Sequence, residues 1–399
     1  MSGASHGAGR GAPILKVSNG AVTPPTAPPS PSPPSPLTLG VEEEFQVIDA
    51  TTGALASRAE DILDEVAVRG PSPAGTVVME LPLSQVETVT GVCRSLAEVR
   101  AAVTGLRETV ADAAASRGLA VLASASPPLG DPGAQRLASA ERYAPIVSRT
   151  AILGRDQFIA GMHVHVGVDT QDLRVAVVDG LRAWLPVLTA LSANSPFWFG
   201  TDTGFDSYRT VHWRRWPVTG PPPRTRNSAG WGAAVAALVA AGAIPDASFA
   251  YWDVRVATRH PTVEVRCADV QGSVEEVVAL AGLVRGLAAT VLADVAAGRE
   301  PLDPPPDVLR YACWHAARYG LDADLVDPRT GALAPAHRVV EDLLVLVAPA
   351  LDRHGDAAEV TTAVRRTISA GNGARRQREA CTAGGLPGVV AQLTVAGRS

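Results

Sequence analysis

The sequence predicts an α+β fold, with helices packed on one face of a largely antiparallel sheet, from three observations. Short runs of alternating apolar and polar residues occur at 37–49, 161–169 and 261–269, with the two-residue period of half-buried strands. Longer Ala/Leu/Val-rich stretches at 94–117, 171–193, 231–242, 273–298, 337–350 and 356–370 read as helices. Strands and helices do not alternate in the steady βαβ rhythm that a parallel sheet requires.

Along the chain, residues 1–36 form a Pro/Ser-rich leader. Its TPPTAPPSPSPPSP run favours polyproline II and cannot supply ladder donors or a core, so it is expected to be disordered. The body, 37–399, has no comparable break and reads as a single catalytic domain; Pro221–Pro223 and Pro304–Pro306 look like loops within it. In the first strand Val41, Phe45 and Val47 share one face and Glu42, Glu44 and Gln46 the other. The segment VVMELPLSQVETVTG carries Glu80 and Glu87. Pro82 and the Val/Thr content argue against a helix, and in one regular strand the two glutamates would point oppositely unless a bend near Pro82 brought them together. In the second strand His163 and His165 oppose Val164 and Val166. In the third, Glu264 and Arg266 oppose Val263, Val265 and Cys267. Ser273 and Glu276 have the spacing of a capping box at a helix start.

Two loop segments add candidates. ALSANSPFWFGTDTGFDSYR, 190–209, is dense in hydroxyls, amides and aromatics and ends at Arg209. GNGARRQR, 371–378, is Gly-rich and basic with no strand before it, so it is not a dinucleotide fingerprint. It reads as a surface turn or an anion-binding segment, including Arg376 and Arg378. Trp213 and Trp216 are expected to pack.

Composition removes whole function classes. The chain has 399 residues, 46% hydrophobic and 19% charged, which excludes a disordered or collagen-like protein. A net charge of −5 does not suit a nucleic-acid partner. The only lysine is Lys16, in the leader, so the body has none for a Walker A loop or a Schiff base. Cys93, Cys267, Cys313 and Cys381 form no C-x-x-C pair and are expected to be reduced, buried thiols. The N-terminus lacks the apolar run of a signal peptide, and the longest apolar stretch, Gly232 to Ile244, is short for a membrane span. A soluble, cytoplasmic protein is therefore expected, with no membrane partner.

The chemistry lies in the shared faces. Any one polar pair could be a solvent face. However, Glu-x-Glu sets like charges side by side, which is costly without a cation between them. With His-x-His and Glu-x-Arg on other strands, the three segments make a wall of carboxylates, imidazoles and a guanidinium. Such a wall suits Mg²⁺ or Mn²⁺ together with a phosphate.

These residues resemble the carboxylate-amine ligases of the glutamate–cysteine ligase type 2 family, in the glutamine synthetase-like superfamily. TLGVEEEFQVID, SQVETVTGVC, GMHVHVG, LSANSPFWFGTDTGFDSYR, PTVEVR and GNGARRQR carry the resemblance, in family order, from residue 38 to 378. It implies a curved antiparallel sheet forming a funnel backed by helices, with ATP entering from one end and amino-acid substrates from the other. It also implies Mg²⁺ held by Glu42, His163 and Glu264 near the nucleotide phosphates, and by Glu44, Glu80 and Glu87 near the substrate. Arg266 would grip the transferring phosphoryl group, and His165, Arg209, Arg376 and Arg378 would bind ATP or substrate. One departure is Leu83, where the family's segment between the two glutamates carries a polar side chain.

The expected activity is ATP-dependent amide formation through an acyl phosphate, with glutamate and an amine such as cysteine as small-molecule partners. A homo-oligomer is left open. The alternative is a metal-dependent amidohydrolase using the His-x-His and carboxylate cluster, which would act without ATP.

Overall fold

The structure, a computed structural model, describes residues 37–138 and 148–397; the leader expected over 1–36 lies outside them. Its centre is a seven-stranded sheet of β1 (Leu39–Asp49), β2 (Gly75–Met79), β3 (Gln85–Thr90), β4 (Leu119–Leu122), β5 (Gly161–Gly167), β6 (Val254–Val256) and β7 (Thr262–Asp269). The order is β6-β7-β5-β1-β3-β2. β4 pairs with the C-terminal half of β1, and every pairing is antiparallel. The three strands expected from alternation are β1, β5 and β7, the middle of this sheet.

Alternation places Leu39, Val41, Val164, Val166, Val263 and Val265 on one face, all buried. Onto that face pack α2 (Leu96–Ala115), α3 (Gln171–Leu181) and α7 (Val274–Ala296). Among the described residues the other helices are α1 (Ala59–Arg69), α4 (Leu185–Ser192), α5 (Tyr208–Trp213), α6 (Ser228–Ala240), α8 (Pro306–Tyr319), α9 (Ala336–His354), α10 (Ala357–Ala370) and α11 (Gly373–Leu393), besides short single turns. The helix expected over 171–193 is α3 and α4, joined by a 3₁₀ turn at Arg182–Trp184. The capping box is present: Ser273 Oγ accepts from Glu276 N and Glu276 Oε2 accepts from Ser273 N.

The stretches Gln171–Ser192 and Val274–Ala296 are both long and apolar enough to cross a membrane, a property the sequence reading assigned to no segment. The most apolar 18-residue windows of the two are 94% and 67% buried inside the fold, where they serve as core helices. Cys93, Cys267 and Cys313 are buried free thiols, and Cys381 is half-buried.

One glutamate of β1 belongs to the core face. Glu43 is buried, and its carboxylate takes Arg107 Nη2 at 2.6 Å and Nε at 3.1 Å, with the guanidinium over the Phe45 ring. The Glu-Glu-Glu run is thus split by the pleat: its outer members face the site, its middle one an internal ion pair.

GNGARRQR is not a surface turn. Asn372 is the N-cap of α11, its side chain accepting from Arg375 N, and Gly373, Ala374 and Gln377 are buried. The two glycines flanking Asn372 read as a turn, but the run ARRQREA that follows is made of good helix formers, and the Asn372 cap starts the helix there.

Candidate functional site

The register of the ladders assembles the site on the polar face. Glu44 stands opposite Glu87 across β1–β3, and Glu42 opposite His163 across β1–β5. Glu264 stands opposite His165 across β7–β5. Glu80 follows β2 directly, in a connection that returns as β3, so Glu80 and Glu87 come from two antiparallel strands rather than one. That connection is fixed by Leu83 N donating to Arg136 O and Ala138 N donating to Leu81 O, both at 2.9 Å, with Leu81 and Leu83 buried. A bend at Pro82 is what unites the pair, and Leu83 serves as a core contact there.

A bulge between Val265 and Ala268 shapes the far end. Val265 pairs with Val164 but Ala268 with Met162, so β7 holds one extra residue. Asp269 therefore comes opposite Gly161, on the same face as His163 and His165. Strict alternation along β7 would instead have put Asp269 on the face opposite Glu264.

A carboxylate oxygen from each of Glu44, Glu80 and Glu87 lies within 4.8 Å of the others, which is the substrate-side set implied by the resemblance. On the other side the donors group differently. Glu42, His165 and Glu264 form one such set, and Glu42, His163 and Glu87 another. Glu42 Oε2 meets His163 Nδ1 at 2.8 Å, and Glu42 Oε1 lies 3.2 Å from His165 Nε2. His165 Nδ1 meets Thr262 Oγ1 at 2.9 Å. The Nε2 atoms of both histidines are buried without an aligned hydrogen-bond partner. Buried imidazole nitrogens left open beside convergent carboxylates fit a divalent cation.

Arginines close the site from the β7 side. Arg266 pairs with Glu264. Arg255, opposite Glu264 across β6–β7, donates Nε to Glu264 Oε2 at 2.7 Å and Nη2 to Oε1 at 3.1 Å. Sequence reasoning missed Arg255: Val254-Arg255-Val256 does alternate, but three residues are too few to single out. Arg209, buried at the start of α5, donates Nη2 to Arg266 O at 3.2 Å. Arg376 and Arg378 are committed elsewhere: Arg376 pairs with Glu276, and Arg378 with Asp202 and Asp206.

The electrostatics divide the wall. Burial and the Glu44 charge push Glu80 up to about 7, and burial and the Glu80 charge push Glu87 well up. At Glu42, burial is outweighed by the hydrogen bond to His163 and the close approach of His165, which hold the carboxyl well below its usual range. At Glu264 it is outweighed by the Arg266 and Arg255 charges, with the same result. Burial and the Arg266 charge push His163 down, keeping a neutral imidazole available as a ligand. The arrangement is an anionic cluster in which the Glu44–Glu80–Glu87 carboxylates have no ion-paired arginine among the described residues, while Glu264 is held by two guanidinium groups.

Comparison with known proteins gives the chain's relatives. The model of glutamate-cysteine ligase family 2 matches residues 38–391. A Rhodopirellula baltica protein named as a candidate glutamate–cysteine ligase 2 is 40% identical over 89% of this chain and 95% of its own length. A Salinispora arenicola protein named likewise is 43% identical over 86% of this chain and 89% of its own. Among solved structures, the glutamate–cysteine ligase of Francisella tularensis in complex with AMP superposes with a TM-score of 0.65 at 13% identity, covering 90% of this chain and 87% of that one. A bifunctional glutathione synthetase from Pasteurella multocida gives 0.63 at 16% identity, covering 89% of this chain and 52% of that one.

Proposed function

This chain belongs to glutamate-cysteine ligase family 2, and we propose from that membership and the site that it is an ATP-dependent carboxylate-amine ligase joining glutamate to an amine such as cysteine. The observation that carries the reading is the convergence of Glu44, Glu80 and Glu87 beside a separate Glu264–Arg266–Arg255 group. Three half-buried carboxylates gathered in one place need a cation, and fixed guanidinium groups nearby suit a phosphoryl group.

Glu44, Glu80 and Glu87 would hold one Mg²⁺, and Glu42 and Glu264 with the His163 or His165 imidazole a second. Bound there, Mg²⁺ would screen the phosphate charge of ATP. The chain's own residues do the rest by positioning and charge. Arg266, oriented by Glu264, faces the transferring phosphoryl group, and Arg209 receives a substrate carboxylate. The glutamate γ-carboxylate oxygen attacks the γ-phosphorus, ADP leaves, and an acyl phosphate forms. The amine nitrogen then attacks the acyl carbon, phosphate leaves with its electron pair, and the nitrogen loses a proton. No enzyme nucleophile is required, in keeping with a body that has no lysine.

The test is ADP release with MgATP over single carboxylic acids and then acid–amine pairs, beginning with glutamate plus cysteine. Release that requires both partners, with a new amide in the mass spectrum, is the expected result. Amide hydrolysis without ATP, and silence with it, would replace the ligase with the hydrolase.

A further inference from the structure

Asp269, at the end of β7, is 1% exposed and holds no metal-donor position. Its Oδ2 accepts from Asn194 N at 2.8 Å and Ser195 Oγ at 2.7 Å, and its Oδ1 accepts from Ser207 Oγ at 2.9 Å. Because an ionised carboxylate only accepts, both serines must point their protons at it. Their lone pairs then face outward: Ser195 Oγ accepts from Arg209 N at 3.1 Å, and Ser207 Oγ from Thr210 N at 3.3 Å. One buried carboxylate thereby orients the first turn of α5, from which Arg209 projects.

A second brace acts on the same loop. Gln377 Nε2 donates to Asn194 O at 2.9 Å and Asn194 Oδ1 at 2.7 Å. Asn194 Nδ2 donates to Ala123 O and Val270 O. The GNGARRQR segment thus reaches the site through Gln377 and Asn194.

Arg209 itself is 5% exposed, and its Nε is buried with no partner. Asp269 Oδ1 lies 3.9 Å from Arg209 Nη1, so the pair is near neutral overall. A near-neutral fork with an open donor suits a monoanionic carboxylate better than a phosphate.

We infer that Asp269 is a positioning residue: through Ser195 and Ser207 it aims Arg209 at a carboxylate of the amino-acid substrate, and Gln377 braces the same loop from α11. The choice of ligand rests on the ligase reading; the aiming of Arg209 does not. Asparagine at 269 would present an NH₂ where a serine proton now points, and one hydroxyl would have to reverse.

The test is a double-mutant cycle of Asp269→Asn and Arg209→Ala, read on KM and kcat for the carboxylate substrate. Asp269→Asn should raise that KM about 10-fold or more, with a smaller change in kcat and in KM for ATP. In the Arg209→Ala background it should add no further rise. A merely structural Asp269 would multiply the same loss in both backgrounds and overturn the inference. Ser195→Ala is the milder variant should Asp269→Asn not fold, and it should reproduce the KM effect. Solvent exchange of the Arg209 Nε–H, followed by NMR and assigned by its loss in Arg209→Lys, gives a readout that needs no turnover. It should be slow in the wild type and faster in Asp269→Asn or Ser195→Ala; unchanged exchange overturns the inference. If no acid–amine pair turns over, the ligase reading fails while the exchange rates still decide the role of Asp269.

Discussion

Arg255 grips Glu264 by both carboxylate oxygens across the edge of the sheet, at 2.7 and 3.1 Å, while its own Nη1 is anchored on Ser248 O at 2.8 Å and Ala250 O at 3.2 Å. The anchor gives the Glu264 carboxylate a fixed plane, which a single contact to Arg266 could not. Arg255→Ala should leave Glu264 half-compensated in a buried place and cost about 2–3 kcal/mol of stability in urea titration. ADP release should fall by about 100-fold as Glu264 loses its orientation. Arg255→Lys should recover only part of either loss, because a point charge cannot take both oxygens. Wild-type turnover in Arg255→Ala would remove Arg255 from the working site.

Glu80 and Glu87 are each pushed up by burial and by the charge of neighbouring carboxylates, so the metal-free cluster is self-repelling. Replacing one member should therefore have opposite effects on stability and function. Glu80→Gln should stabilise the protein in EDTA at pH 8, by up to about 2–3 kcal/mol, because one ionised carboxylate is no longer buried among its like. The same change should shrink the rise in melting temperature that Mg²⁺ produces in the wild type, and should abolish ADP release. A lower melting temperature in EDTA for Glu80→Gln would contradict the repulsion on which this rests.

The difference between what the sequence disclosed and what it hid has a physical basis in particular residues. β1, β5 and β7 were legible because a two-residue period survives wherever one face is buried, and that period alone put Glu42, Glu44, His163, His165 and Glu264 on shared faces. Register was not legible. Nothing in the alternation says that Glu44 sits opposite Glu87, or that the connection after β2 reverses the chain at Pro82. Asp269 was hidden because a bulge shifts its parity, and Arg255 because a three-residue edge strand carries too little pattern. Arg376 and Arg378 were nominated by the basic run and the resemblance; the fold engages them with Glu276, Asp202 and Asp206, so that Arg378 holds the 190–209 loop at Asp202 and Asp206 while the uncharged Gln377 holds it at Asn194.

Acid stability should report His212. Burial and the Arg215 charge push its imidazole down to about 4, and its Nε2 meets Asp156 O at 2.6 Å. The folded protein keeps this ring neutral where the unfolded chain, at about 6.5, takes up a proton. Unfolding therefore gains a proton between those values. The contribution of His212 is level above pH 6.5 and falls as pH drops toward 4, by at most about 1.4 kcal/mol per pH unit. His212→Gln, which can still donate to Asp156 O, should flatten that limb in melting curves between pH 4 and 6.5. Parallel curves for variant and wild type would assign the acid sensitivity to other groups.

Gly161 makes the room that Arg209 occupies: a Cβ built on it would lie 2.1 Å from Arg209 Nη2. Its N–H, which donates to Glu44, would survive substitution by alanine, so Gly161→Ala acts on Arg209 alone among the site's charged groups. The displaced guanidinium should raise KM for the carboxylate substrate by about 10–100-fold, at a stability cost of about 1–3 kcal/mol from overpacking. Gly167→Ala is the control. It lies on the same strand, and its Cβ would meet Thr38 Oγ1 at 2.2 Å, away from Arg209. A comparable stability loss there with unchanged KM would show that crowding β5 is not by itself what weakens substrate binding. In an Arg209→Ala background, Gly161→Ala should leave KM where Arg209→Ala put it. A further rise in that background would mean that the alanine acts through Glu44 or the strand, and that Gly161 is not the seat of Arg209.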